Sequence, residues 1–419
     1  MDRKELRQLS KNQLIDIIFD LHQKLEQMLK LYENTHTPSS KIRSKKNTQQ
    51  DDLKPRFPGK PEGGNGGGID MPKPDETKLV EKQNCECGGK LQHSGQYHFR
   101  QMDIPTPKFI TTQYNVNVYI CKSCGKNVDA GENLHKGFYG PIITAFAGCL
   151  KEEGLSYGAI GRFMRNVYNL SISPVAIFNK LSELVSLMKP ERERIRRAIC
   201  KNIFAHMDET GLRKDGQNGQ VWNLSTPTHC LFEYDRSRGA VVAKRLLEGF
   251  DGALVTDDFK SYLWYLLRQL CWAHLLREAD GYAEDYEDSR VLYKRLLLLY
   301  HNAKEAQKKL DVGRYGEFVL ELEDIARCYH PIDGCKNMFS KLHNRAALWL
   351  LGVKMPNVPL TNNHAERCLR KIVLHRNRMG CIRNEKGEGF INIFMSCVST
   401  WRLQEKNVYE KLHNYALLT

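Results

Sequence analysis

The sequence predicts a multidomain α/β protein in which helical segments precede and follow the strands of one mixed sheet. Short apolar runs at residues 203–207, 219–225, 229–235 and 252–256 have the length and the β-branched or aromatic content of strands. A helical pattern over 240–248 separates the last two of these runs. Residues 283–355 keep helical spacing throughout and carry no strand signal. A chain of 419 residues is long enough for about two to four domains.

Charge and composition favour a nucleic-acid partner. The formal net charge is +14 and the isoelectric point is near 9.1, so a polyanion is the expected partner. The first residues lack the apolar core of a signal peptide, and Lys294 and Arg295 interrupt the most apolar stretch, so we expect no membrane span. Thirteen cysteines in a chain without a signal peptide indicate a reducing compartment and some metal-bound thiolates. We therefore expect a cytoplasmic, nucleoid-associated protein.

Residues 1–34 predict a coiled-coil helix. Their apolar side chains recur at alternating spacings of four and three, at Leu14, Ile18, Leu21, Leu25, Met28 and Tyr32. This heptad pattern favours self-association into a homo-oligomer. An amphipathic helix packed on its own domain would show the same spacing.

Residues 35–80 predict a linker, because periodicity is lost and glycine and proline accumulate. Its first half contains a basic cluster, formed by Lys41, Arg43, Lys45 and Lys46. The cluster is a candidate for phosphate contact, although such runs are also typical of solvated chain.

Residues 81–136 predict a zinc ribbon. The spacing suits one structural zinc ion bound by four thiolates, at Cys85, Cys87, Cys121 and Cys124. The first pair is one residue tighter than usual, and four free cysteines are the alternative. Cys271 and His274 also have metal-ligand spacing, but two ligands alone favour a packing role.

Residues 137–200 predict helices over 142–150, 156–167 and 173–187, the last begun by Ser173-Pro174 as N-cap and first helical residue. Two short helices joined by a tight turn could form a DNA-binding helix-turn-helix. A plain helical bundle would leave the same pattern. A further helix is expected over 403–419.

Two aspartates follow predicted strands. Asp208 comes directly after the strand at 203–207, and Asp257-Asp258 follows the strand at 252–256. Acids placed at strand ends are held on rigid backbone and can bind a metal ion, although Asp208 could instead simply start a turn.

The third acid, Glu366, lies in a predicted helix with Asn363 as its N-cap. Glu366 could also be a capping-box residue or an ion-pair partner of Arg370. Positive charge surrounds it and favours phosphate contact, at Arg367, Arg370, Lys371, Arg376 and Arg378.

In their order along the chain, these segments resemble transposases of the insertion sequence 66 family, part of the wider Asp-Asp-Glu transposase group. The shared motifs are His36-Thr-Pro-Ser-Ser40, the Cys-Gly-Gly ribbon with Asp103-Ile-Pro105, Asp208-Glu-Thr210 followed by Gly219 and Trp222, Thr256-Asp257 with Tyr262, Gln269-Leu-Cys-Trp-Ala-His274, and Asn363-His-Ala-Glu-Arg367.

The resemblance implies an RNase H-like catalytic domain over 201–282 and 356–402, interrupted by the helical insertion at 283–355. It also implies a catalytic triad of Asp208, Asp257 and Glu366. Asp257 is preferred to Asp258 because the family motif places its aspartate five residues before the tyrosine, here Tyr262. Asp258 occupies a position where the family often has glycine.

The implied activity is cleavage at the ends of a mobile element and strand transfer into double-stranded target DNA, with Mg²⁺ (or Mn²⁺) held by the three carboxylates and accessory proteins as possible partners. Other functions remain open: a non-catalytic DNA-binding regulator, an inactivated transposase remnant, or a nuclease of the same fold that cannot join strands. The intact acids argue against the first two.

Overall fold

The structure is a computed structural model that describes residues 73–80, 92–93, 96–97, 101, 104, 106–132, 134, 137–332 and 334–418. The chain divides into two compact units, one of which is Pro38–Ile110. The described residues of that unit form no helix or strand. The predicted coiled coil, the basic cluster at 41–46, Cys85 and Cys87 lie outside the described residues.

The other unit is Met1–Thr37 with Thr111–Thr419, and the first elements of its described residues form a short hairpin. Strands β1 (Val118–Ile120) and β2 (Asn127–Asp129) pair antiparallel, and Cys121 and Cys124 lie in the turn between them. The Cys121 N–H donates to Lys126 O at 2.8 Å, and its carbonyl accepts from the Gly125 N–H at 2.8 Å. Gly125 has φ +71°, a conformation that glycine adopts without steric cost. The Cys-x-x-Cys-Gly segment thus forms a tight knuckle.

Helices α1 (Pro141–Glu152), α2 (Tyr157–Tyr168), α3 (Pro174–Leu187) and α4 (Lys189–Cys200) follow the hairpin. The predicted start of α3 is confirmed, because Pro174 is its first residue and the Ser173 hydroxyl accepts from Ala176 N at 3.1 Å. The buried faces of these helices belong to the same hydrophobic core as the sheet.

A mixed five-stranded sheet forms the centre of the fold. Its strands are β3 (Phe204–Gly211), β5 (Gln220–Thr226), β6 (His229–Asp235), β7 (Ala253–Thr256) and β8 (Arg268–Leu270), in the order β6-β5-β3-β7-β8. β3, β5 and β6 pair antiparallel, whereas β7 and β8 join in parallel. Helix α5 (Ala240–Leu246) connects β6 to β7, and β4 (Arg213–Lys214) lies outside the sheet. This mixed sheet with its helices is consistent with the expected RNase H-like domain.

Strand β3 is longer than the sequence predicts. The expected strand ends at residue 207, but pairing with β5 continues to Gly211, and Asp208 lies opposite Asn223. The prediction that Asp208 lies just beyond the end of this strand is therefore wrong on the side of β3 that pairs with β5. Pairing with β5 carries β3 as far as Gly211, beyond the end that the local apolar run indicates.

Residues 272–354 form the helices α6 (Trp272–Asp285), α7 (Ser289–Lys308), α8 (Tyr315–Tyr329), α9 (Lys336–Trp349) and α10 (Leu351–Lys354). They share a hydrophobic core that is separate from the core of the sheet and includes Trp272, Leu296, Leu322 and Trp349. The predicted start of the insertion, at residue 283, falls inside α6. The core of the inserted helices thus begins earlier, near Leu270.

The chain then returns to the sheet through α11 (Asn363–Met379), which packs on β3 and β5. Strand β9 (Cys381–Ile382) pairs with β4, and helix α12 (Glu385–Gly389), a π-helical segment (Phe390–Met395), α13 (Ser396–Leu403) and α14 (Val408–Ala416) follow. Among the described residues, no helix is both long and apolar enough to cross a bilayer.

The outer side of edge strand β6 is covered by side chains of these last helices. The N–H groups of Cys230, Phe232 and Tyr234 donate to Thr400 Oγ1, Ser396 Oγ and Asn392 Oδ1 at 3.0, 2.8 and 2.7 Å. The three acceptors recur every four residues, as neighbours on one helical face do. They take the place of a further strand.

Candidate active site

The end of the parallel pairing between β3 and β7 brings two acids together. The last paired residues are His206 and Val255. The same register carried on by two residues places Asp208 beside Asp257, which directly follows β7. Both carboxylates therefore belong to one edge of the sheet, where β7 has ended and β3 continues.

Four carboxylates act on one another at this edge. Burial raises the pKa of Asp208 to about 8, and the negative charges of Asp257, Glu209 and Glu366 contribute to that rise. A hydrogen bond from the Glu209 N–H to Asp208 Oδ1, at 2.9 Å, opposes it. The inserted helices separate Glu366 from Asp208 in the chain. In the fold, Glu366 nevertheless lies close enough to repel Asp208 electrostatically.

Glu209 is a site residue that the sequence analysis missed. Its side chain is 1% exposed and accepts hydrogen bonds from the Tyr262 hydroxyl at 2.6 Å and from Arg238 Nε and Nη2 at 2.9 and 2.8 Å. Burial raises the pKa of Glu209, and these two donors oppose the rise. The sequence shows Glu209 as a second acid directly after Asp208. Its partners Arg238 and Tyr262 could not be inferred, because whole strands separate them from Glu209 in the chain.

Arg238 and Tyr262 also hold the segment that carries Asp257. Arg238 lies over the ring of Phe259 at 4.1 Å, and its carbonyl accepts from Ser261 Oγ at 2.7 Å. Asp257 Oδ1 itself accepts from the Phe259 N–H at 3.0 Å. The contacts of Glu209 therefore fix the Asp257 segment against β3.

The adjacent aspartate has a different partner. Asp258 forms an ion pair with Arg345 of the inserted helices, and its side chain is 14% exposed. Asp257, in contrast, contributes to the raised pKa of Asp208. The two neighbouring carboxylates thus serve different contacts, and only Asp257 belongs to the acidic cluster.

Glu366 lies in the first turns of α11, and its predicted cap is wrong. The N-cap position is Asn362 and not Asn363, so Glu366 is the fourth helical residue and does not fit a capping box. Its Oε1 lies 3.7 Å from His274 Nε2. Within residues 334–418, no ion pair joins Glu366 to Arg370.

The predicted basic residues of α11 divide into two classes. Arg367 and Arg370 are exposed and, among the described residues, their side chains form no hydrogen bond or ion pair; Arg378 is exposed as well but has a partner. The others are bonded to the protein: Lys371 to Glu152 and Glu153 at 3.3 and 3.2 Å, Arg376 to Thr210 Oγ1 and Gly211 O at 3.2 and 2.8 Å, and Arg378 to Glu153 O. The first class is available to a ligand, and the second holds α11 on α1 and β3.

The donor set suits a hard divalent cation. Carboxylate oxygens are preferred by Mg²⁺ and Mn²⁺, and a cation would neutralise the negative charges that add to the effect of burial in raising the pKa of Asp208. In the part of the chain that the structure describes, no three His, Cys, Asp or Glu side chains already surround a single point as metal ligands. The acids form an open cluster, as repelling carboxylates do.

A protein-family model described as "Transposase IS66 family" matches residues 136–389. The matched span contains the sheet, all the inserted helices and each of the acids discussed above. Among curated proteins, none matches the chain.

Proposed function

The chain belongs to the IS66 family of transposases, whose model matches more than half of its length, and we propose that it cleaves DNA at element ends and joins them to target DNA, with Asp208, Asp257 and Glu366 as its catalytic acids. Family membership implies DNA transposition. The observation that carries the finer proposal is the convergence of these acids at one edge of the sheet, where the charges of Asp257 and Glu366 add to the effect of burial in raising the pKa of Asp208 to about 8. Acids brought together by β3, the segment after β7 and α11 cost stability when no cation neutralises them, and metal binding offsets that cost.

The three carboxylates would hold divalent cations, which when bound activate the attacking oxygen and stabilise the leaving oxygen of a phosphodiester. Asp208 gives up its proton as the ion binds, because a protonated carboxyl is a poor ligand. Glu209 is already engaged by Tyr262 and Arg238, so its role is to hold the Asp257 segment. The exposed Arg367 and Arg370, which follow Glu366 in α11, would contact phosphates of the bound DNA.

The substitution Glu366→Gln tests the proposal, because it preserves size and removes the charge. We expect it to bind linear DNA carrying the genomic flanks of the coding sequence as the parent does, while cleavage in Mg²⁺ falls by several orders of magnitude. Glu183→Gln, at an exposed position on α3, is the matched control and should cleave normally. Cleavage by Glu366→Gln at the parental rate would remove Glu366 from the catalytic acids, and a parent that does not cleave at all would favour the non-catalytic regulator.

Strand transfer separates a transposase from a nuclease of the same fold. Pre-cleaved ends with free 3′-hydroxyls should be joined to a supercoiled plasmid by the parent and not by Glu366→Gln. Cleavage without joining would support the nuclease alternative.

The exposed arginines supply a test of DNA binding. Arg367→Ala and Arg370→Ala should each weaken binding across sequences and lower the salt slope by roughly one per lost phosphate contact. Arg378→Ala removes the same charge from a residue bonded to Glu153 O, so it should change thermal stability more than binding. Equal effects on the salt slope would contradict this assignment.

A further inference from the structure

Asn362 is fully buried directly before α11, and its side chain is bonded to strand β3 instead of its own helix. Its Nδ2 donates to Met207 O at 2.9 Å, and its Oδ1 lies 3.0 Å from Nδ1 of the buried His206. Asparagine at an N-cap position usually accepts from an N–H of the first helical turn. Helix α11 has no such side-chain cap. The amide of Asn362 is therefore committed to β3 at the expense of the helix end.

The chemistry of the amide fixes the direction of these bonds. Because Nδ2 donates to Met207 O, Oδ1 is the atom that faces His206, and a carbonyl oxygen can only accept. His206 Nδ1 consequently carries a proton and donates. The backbone N–H of Asn362 donates to Cys271 Sγ at 3.1 Å, just before α6. Asn362 thus joins β3, the start of α6 and the start of α11.

The joined points lie next to the proposed metal ligands. Met207 directly precedes Asp208, and the Glu366 N–H lies 3.4 Å from Asn362 O, one helical turn away. A helix rises about 1.5 Å per residue, so Glu366 is only roughly 6 Å along the axis from the anchored residue. Movement of Asn362 relative to β3 would therefore change the separation of Glu366 from Asp208 by a similar amount.

We propose that Asn362 is a positioning residue that sets the separation of Asp208 and Glu366 for binding a divalent cation. The inference rests on the proposed function, since it takes these two acids as ligands. Supporting contacts of this kind change metal affinity because a productive site tolerates displacements of only about 0.5 Å. Mg²⁺ and Mn²⁺ favour a fixed octahedral arrangement of oxygens.

Mn²⁺ binding to the full chain tests this role without any DNA. Free Mn²⁺ is measured by its electron paramagnetic resonance signal during titration, and folding is checked by thermal unfolding. We expect Asn362→Ala to weaken Mn²⁺ binding by about tenfold or more, as loss of a supporting partner typically does. Asn363→Ala is the matched control, because Asn363 is the next residue and the first of α11, and it should bind Mn²⁺ as the parent does.

The outcomes separate the positioning role from the proposed function. If Asp208→Asn loses Mn²⁺ binding but folded Asn362→Ala binds with parental affinity, the positioning role is wrong and the catalytic assignment stands. A lower melting temperature with unchanged Mn²⁺ affinity would mean a purely structural role and also overturn it. If neither the parent nor Asp208→Asn binds Mn²⁺, both proposals fail. Should Asn362→Ala not fold, Asn362→Ser, which can keep one of the two bonds, is expected to weaken binding to a smaller extent, and parental affinity would overturn the inference.

Discussion

Asp258 forms an ion pair with Arg345 of α9. Arg345 interrupts the regular helix, because its own backbone is non-helical, with φ −136° and ψ 19°. This contact joins the inserted helices to the segment that directly follows β7. It also gives Asp258 a partner that Asp257 does not share. Of the two adjacent aspartates, one anchors the insertion and the other belongs to the acidic cluster.

Substituting the two aspartates separately should give different defects. Asp257→Asn should abolish DNA cleavage with little change in unfolding, because it removes a charge from a crowded cluster. Asp258→Asn should lower the free energy of unfolding by about 1–3 kcal/mol, since it breaks a charged hydrogen bond, and should retain Mn²⁺ binding. Cleavage assays and urea unfolding of both variants test this, and loss of Mn²⁺ binding only in Asp258→Asn would reverse the assignment.

The raised pKa of Asp208 makes metal-dependent stability a function of pH. Its folded pKa of about 8 lies above the unfolded value near 3.8, so the metal-free folded state binds the extra proton. The free energy of unfolding of the metal-free protein should therefore fall as pH rises from about 4 to about 8. Mg²⁺ competes with this proton, so its affinity should increase by up to about tenfold per pH unit over the upper part of that window.

Melting temperatures measured with and without Mg²⁺ at pH 6, 7 and 8 test the dependence on Asp208. The increment caused by Mg²⁺ should grow with pH in the parent and disappear in Asp208→Asn. An increment that stays constant from pH 6 to pH 8 would contradict the buried, protonated state of Asp208.

His375 should affect stability in the opposite direction. Burial and the nearby charge of Lys151 lower its pKa to about 4, and its Nε2 lies 3.0 Å from Glu152 O. Between pH 6.5 and about 4 the unfolded state binds a proton that the folded state does not, so the free energy of unfolding falls as pH falls, by about 3 kcal/mol in total. His375→Gln keeps a donor for Glu152 O and should remove this dependence.

Urea unfolding of parent and His375→Gln at pH 7, 6 and 5 measures the effect as a difference at each pH. Taking the difference also cancels the contribution of Asp208, which has the opposite sign over the same range. Equal pH slopes for the two proteins would show that His375 does not titrate with a lowered pKa.

The knuckle at Cys121 and Cys124 supports the prediction of a structural zinc ion. A hydrogen bond from the Cys124 backbone lowers the pKa of the Cys121 thiol, which favours the metal-binding thiolate. Metal analysis of reduced protein should find about one zinc per chain. Cys124→Ser should lose it, whereas Cys328→Ser, which changes another exposed thiol, should not. Zinc-free, fully folded parent protein would favour four free cysteines.

Local sequence patterns correctly predicted an element's end where the contacts that fix this end involve only neighbouring residues. Helix α3 begins as expected because Ser173 and Pro174 act on their immediate neighbours. The same reasoning gave the wrong N-cap for α11. The side chain of Asn362 is bonded to His206, a residue 156 positions earlier, and not to the N–H groups of its own helix. Which of two asparagines precedes the helix is decided by that distant partner, and no periodicity records it.

Only part of the candidate site was predictable from the sequence, because some roles depend on contacts between distant residues. Asp208, Asp257 and Glu366 lie in short sequence motifs shared with the family. The role of Glu209 depends instead on Arg238 and Tyr262, which the topology of the sheet brings next to it. The division of basic residues on α11 also depends on tertiary contacts. Lys371 and Arg378 resemble Arg367 and Arg370 in sequence, and only the position of α1 distinguishes them.

Both edges of the central sheet are covered by helices. Asn392, Ser396 and Thr400 occupy the open N–H groups of β6, and on the opposite edge Gln269 of β8 accepts from the Gly352 N–H at 2.6 Å and donates to Trp349 O at 2.8 Å. An uncovered edge strand would be a template for pairing with a strand of another molecule, and such pairing leads to aggregation. With three N–H groups of β6 already bonded to side chains of the chain itself, that edge offers no open row of donors to a strand of another copy.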